Sequence, residues 1–137
     1  MTKIFFIGLS NKIGKESLAG DTISGALIDK IIDKLDYECI KTNLVNFAPI
    51  DEAGKLRYPN IEEKDRGFKS LNVILEKNMP YVAVCLGRQV SDYLKNKIKN
   101  VLSIQHPSYI AVYKRKDTEM YVENVAKNID LMLMGKK

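Results

Sequence analysis

Lys3-Ile4-Phe5-Phe6-Ile7-Gly8 is a nearly continuous apolar run that stops at a glycine, the pattern of a strand covered on both faces inside a parallel sheet. A strand with one wet face would alternate, and this one does not. Three further runs share its character: Glu38 to Val45, Tyr81 to Leu86 and Val101 to Gln105. Between them the apolar spacing changes to three and four residues. Thr22 to Leu35 carries Ile23, Leu27, Ile28, Ile31, Ile32 and Leu35, with Asp21 or Thr22 as the N-cap. Ile61 to Lys77, Arg88 to Lys97 and Asp117 to Met134 read as helices on the same ground. Strands and helices in alternation imply crossover connections. The expected fold class is therefore α/β, with three layers, α/β/α, around a central four-stranded parallel sheet.

The 137 residues are expected to form a single domain spanning 1–137, long enough to bury about two-thirds of the surface of the unfolded chain. The 45% hydrophobic and 28% charged fractions exclude disorder, collagen and coiled coil. No run approaches the roughly 18 apolar residues of a membrane span, and no small-residue cleavage site follows the short apolar opening. A cytoplasmic protein without a membrane partner is expected. Lys and Arg number 22 against 17 Asp and Glu, and the resulting +5 charge favours a polyanionic partner. Cys39 and Cys85 stand apart without a C-x-x-C pairing, so they read as buried thiols, not as a zinc site or a disulfide.

Ligands of such sheets bind where loops converge at the carboxyl ends of the strands. Those loops are Gly8 to Gly25, Asn43 to Pro59, Gly87 to Gln89 and Gln105 to Lys116. The first is glycine-rich, yet its spacing misses the phosphate loop, Lys15 is followed by Glu16 where a hydroxyl belongs, and the G-x-G-x-x-G fingerprint is missing. That argues against an NTPase or a dehydrogenase. Asn43 stands at the end of the second strand, where its carboxamide either closes a turn or presents a donor and an acceptor to a nucleobase edge. Arg57, in the same loop, is a surface charge or a ligand contact. His106 is the only histidine; it follows a buried strand, and Pro107 holds it extended. Structural and functional readings of it stay open, as does a flavodoxin-like or nucleotide-binding domain in which it is incidental.

Gly8-Leu9-Ser10-Asn11, the segment Gly20 to Gly25, Thr42-Asn43-Leu44-Val45 with Pro49 and Arg57-Tyr58-Pro59, Leu86-Gly87, and His106-Pro107-Ser108-Tyr109 follow one another in a telling order. Over nearly the whole chain this order resembles the uracil-DNA glycosylase superfamily, most closely its compact bacterial and archaeal branches. The resemblance implies a uracil-DNA glycosylase-like fold and a DNA glycosylase that hydrolyses the N-glycosidic bond of uracil or a related deaminated base. The implied partner is DNA containing a damaged base, single- or double-stranded, and the implied state is a monomer without metal or cofactor. By the same resemblance, Asn43 reads the base edge and His106 hydrogen-bonds the O2 of the departing base. Ser10, Ile23 and Phe47 surround the base, Ile23 standing where the family has a stacking aromatic, with Phe47 or Tyr58 as substitutes. Arg57, Ser108, Tyr109, Lys114, Arg115 and Lys116 would contact DNA, while Ile110 and Tyr113 would press into it.

Departures from the pattern are equally specific. Leu9 stands where the iron–sulfur branch has a catalytic Glu, and Asn11 and Lys12 replace that motif's proline and second glycine. Water positioning then falls to Ser10, Asn11, Glu16 or Asp21, of which Asn11 and Glu16 rank first. Phe47 occupies one of the cluster-cysteine places, so no iron–sulfur cluster is expected. The alternative reading is a catalytically weakened or inactive member of the same fold that binds nucleic acid, a nucleobase or nucleotide, or a protein.

Overall fold

A computed structural model describes residues 2–14 and 18–134. Strands β1 (Lys3–Ser10), β2 (Cys39–Val45), β3 (Tyr81–Leu86) and β4 (Val101–Ile104) form one parallel sheet in the order β2-β1-β3-β4. Helices α1 (Ile23–Asp33), α2 (Ile61–Lys77), α3 (Arg88–Leu94), α4 (Pro107–Tyr113) and α5 (Thr118–Met134) cover it. Because successive side chains of a strand point to opposite faces, Ile4 and Phe6 meet α1, α4 and α5, while Phe5 and Ile7 meet α2 and α3. All four side chains are fully buried. Each contributes roughly 1.5–3 kcal/mol of hydrophobic stabilisation. The unbroken apolar run of β1 is thus the signature of a central strand with a helical layer on either side. This is the three-layer α/β/α fold expected from the sequence. Among the described residues no helix is long and apolar enough to cross a membrane.

Two local differences shape the functional end of the sheet. First, β1 continues past Gly8 to Ser10, because its ladder with β2 carries on through Gly8–Asn43 to Ser10–Val45. Second, the segment read as a loop from Gln105 to Lys116 contains α4. Pro107 occupies the first turn, where a missing N–H costs nothing, and His106 caps the helix. Ile110, expected to press into DNA, is instead 3% exposed and packed in the core beneath α4.

The strand order fixes where a ligand can approach. From β1 the chain goes out to β2, then returns across β1 to β3 and β4, so the connections diverge at the carboxyl end of β1 and β3. A cleft opens there.

Candidate active site

The cleft has a volume of about 520 Å³ and is walled by Gly8, Leu9 and Ser10 of β1, by Asn43 of β2 and by His106. Asn43 and His106, far apart in sequence, therefore face the same space. Leu18, Thr22 and Ser24 line it from the approach to α1, and Leu56, Arg57 and Tyr58 line it from the loop after β2.

Asn43 is 4% exposed, although it ends in a carboxamide. Its position follows from the register: it pairs with Gly8, and a Cβ on Gly8 would lie 2.3 Å from Asn43 Oδ1. Only glycine leaves room for the amide at this point. Asn43 Nδ2 donates to Asn11 Oδ1 at 2.7 Å, while Asn43 Oδ1 is buried without a hydrogen-bond partner. Leaving a buried polar atom unpaired costs about 1–3 kcal/mol, so this oxygen is the acceptor in the cleft wall that folding alone does not satisfy.

Ser24 repeats the pattern. Its Oγ is buried and unpartnered, on a residue only 4% exposed in the first turn of α1. Sequence reading missed it, although a polar residue in phase with the buried stripe Leu27, Ile28 and Ile31 was the available signal.

His106 enters from the opposite side. Its Nδ1 accepts the backbone N–H of Ser108 at 3.1 Å, and Ser108 Oγ lies 2.7 Å from the same nitrogen. A backbone N–H can only donate, so Nδ1 carries no proton and the neutral ring holds its proton on Nε2. Burial, followed by the nearby Lys12 ammonium, holds the His106 pKa below its ordinary value of 6.5. The imidazole is thus a neutral donor at pH 7. The backbone behind it is pinned by Tyr121 of α5, whose hydroxyl donates to Gln105 O at 2.7 Å, and by Gly87, which sits at a φ of +91° against the ring.

The remaining candidates distribute unevenly. Ser10 lines the cleft. Asn11 is absent from its wall and makes the bond to Asn43 already described. Phe47 and Ile23 are also outside the wall; Ile23 is 51% exposed and borders a shallow groove with Val112 and Arg115. Tyr58, 74% exposed, is the aromatic ring at the cleft. Arg57 lines the cleft, but its guanidinium is engaged inside the protein. It donates to both oxygens of Glu63, at 2.7 and 3.2 Å, and to the carbonyls of Ile50 and Tyr58. Glu63 in turn forms the capping box of α2 with Asn60, and the Arg57 hydrogen bonds hold its carboxyl below the usual range. Lys12, which the sequence reading did not place at the cleft, also lines its wall and brings a second cation there.

Ser108 is committed to His106. Tyr109 and Tyr113 form an exposed ring pair with centroids 5.3 Å apart, and Lys114, Arg115 and Lys116 follow them on the surface. Glu16 lies outside the described residues. Cys39 packs against the core on one face of the sheet and Cys85 lies in the core of the other; burial pushes their thiols up to about 11 and about 12. Such a pair does not combine into a cluster ligand set.

A parallel α/β domain whose cleft joins a buried strand-end carboxamide to a capped neutral imidazole invites comparison with proteins that handle nucleobases. The family model described as the uracil DNA glycosylase superfamily matches residues 2–129. The chain belongs to the uracil-DNA glycosylase superfamily, whose members act on DNA. In fold it is similar to the crystal structure of wild-type Pedobacter heparinus SMUG2, with a TM-score of 0.67 and 14% identity over 96% of this chain and 76% of that one. It is also 29% identical over 126 residues to a protein named DNA polymerase IV from Picrophilus torridus, a match covering 89% of this chain. The chain spans 36% of that relative's length.

Proposed function

We propose that this protein is a DNA glycosylase that hydrolyses the N-glycosidic bond of uracil or a related deaminated base in DNA, in base excision repair. The observation that carries this reading is the shared cleft of Asn43 and His106, the first with an unpaired buried acceptor and the second with a proton on Nε2. Uracil offers a ring N–H beside a carbonyl. Asn43 Oδ1 accepts the N–H, and the second Nδ2 hydrogen donates to the carbonyl. Cytosine presents the reverse pattern.

Chemistry follows from the same two groups. As the bond between C1′ and the base nitrogen breaks, its electron pair moves onto the base and charge gathers on O2. His106 Nε2–H donates to that oxygen, and one well-aimed donor of this kind is worth about 3 kcal/mol in the transition state. Lys12 adds positive potential at the wall. Water then bonds to the oxocarbenium-like C1′, and its released proton balances the departing base anion. The exposed Tyr109–Tyr113 pair and the basic trio beyond it supply a stacking surface and phosphate contacts for the DNA.

A second reading has its own support. Leu9 lines the cleft where the resemblance has a catalytic Glu, and Ile23 stands outside the wall where it has a stacking aromatic, which favours a weakened member that binds a base or nucleic acid without rapid turnover. One assay separates the two. Incubation with uracil-containing single- and double-stranded oligonucleotides should yield alkali-labile abasic sites that the His106→Ala variant fails to make; binding without cleavage by the wild type would favour the second reading.

A further inference from the structure

Asn11 occupies the place of a motif proline in the resemblance drawn above, and the sequence reading gave it water positioning; its contacts give it a different task. In this chain it is tied at both ends. Its backbone N–H donates to Phe47 O at 3.2 Å, its Nδ2 faces Asn46 O at 3.4 Å, and its Oδ1 accepts from Asn43 Nδ2 at 2.7 Å. These contacts have a direction. A carbonyl can only accept, so Asn46 O requires the nitrogen end of the Asn11 amide, which leaves the oxygen end facing Asn43. That oxygen in turn requires the nitrogen end of the Asn43 amide. The Asn43 oxygen is thereby left as the buried unpaired atom.

We infer that Asn11 is a specificity-determining positioning residue: it relays the polarity of the Asn46 carbonyl to the Asn43 carboxamide and so sets which base edge the cleft accepts. With Asn11 in place, Asn43 offers an acceptor on the side facing away from Asn11, complementary to a ring N–H such as that of uracil. Without it, the carboxamide turns over at little cost, because the two ends of an amide have nearly the same shape. The turned-over amide offers a donor there, complementary to the bare ring nitrogen of cytosine. The inference rests on the proposed function insofar as it takes Asn43 to be the base reader.

The test uses free uracil and free cytosine as probes, titrated into the full chain and followed by NMR, beside the excision assay. Asn11→Ala should lower the preference for uracil over cytosine by about fivefold, the size expected for losing one orienting hydrogen bond. Asn11→Asp, which keeps an acceptor facing Asn43 Nδ2, should restore the wild-type preference. The Asn43 side-chain amide protons, assigned by their loss in Asn43→Asp, should exchange slowly with solvent in the wild type and rapidly in Asn11→Ala. A residue that merely positioned water would slow excision of every base and leave the base preference unmoved. Unchanged preference in Asn11→Ala overturns the inference. Wild-type protein that binds uracil but excises nothing removes the hydrolase and leaves the inference standing, whereas wild-type protein that binds neither base removes both.

Discussion

The two walls of the cleft are built by different means. Asn43 is part of the sheet: its place is set by a strand register, its neighbour Gly8 is shaped to admit it, and its group does not titrate. His106 stands at the start of a helix of seven residues, held by a cap to Ser108, and its group titrates. The sheet wall is thus suited to fixed recognition. The helix wall suits chemistry, because a proton and a charge can be managed there by local hydrogen bonds.

Variants should break the two walls differently. The largest effect belongs to His106→Ala, which should reduce uracil excision by about 10²–10³-fold while leaving uracil binding nearly intact, measured as kcat against KM. Gly8→Ala attacks the other wall. Its new Cβ would fall 2.3 Å from Asn43 Oδ1 and displace the amide, so uracil affinity should drop by about 30-fold, the worth of the two hydrogen bonds Asn43 would make. Tyr58→Ala should weaken capture of the substrate base by about tenfold or less, as loss of one stacked ring does. Ser24→Ala is the gentlest change. It removes a buried unpaired hydroxyl, so thermal stability should hold or rise slightly, while any loss in base affinity would show that the hydroxyl meets the ligand.

Acidity should distinguish the walls as well. Because the His106 pKa in the folded protein lies below 6.5, the unfolded chain takes up this proton first as pH falls. Stability from this group is complete above about 6.5 and declines as pH drops through the window down to the folded value. Protonation would also set an N–H of Nδ1 against the Ser108 N–H and uncap α4. Melting temperatures of the wild type should therefore fall more steeply below pH 6.5 than those of His106→Gln, and the two curves should run parallel above it.

Legibility in the sequence follows the same division. Strand ends are marked by apolar runs, so Asn43 and His106 could be placed at one edge of the sheet from the order of β1 to β4 alone. Helix α4 was hidden because Gln105-His106-Pro107-Ser108 reads as a loop until Pro107 is seen as a first-turn residue and His106 as a cap. The pairing of Arg57 with Glu63 was equally invisible, since it joins a loop to a helix start and depends on where the loop turns. Ile23 and Ser24 illustrate the phase problem: neighbours on one helix, they differ by one step of rotation, and that step sends the apolar residue outward and the hydroxyl to the cleft wall. Periodicity locates a helix more surely than it fixes the facing of its first turn.

Whether both walls act on one base is decided by uracil release from an oligonucleotide by the wild type, Asn43→Ala, His106→Ala and the double variant. Release by the wild type is expected, with a large loss in each single variant and a double variant slower than either, since Asn43 holds the base on which His106 acts. No release by the wild type, or a His106→Ala protein as fast as its parent, would contradict it.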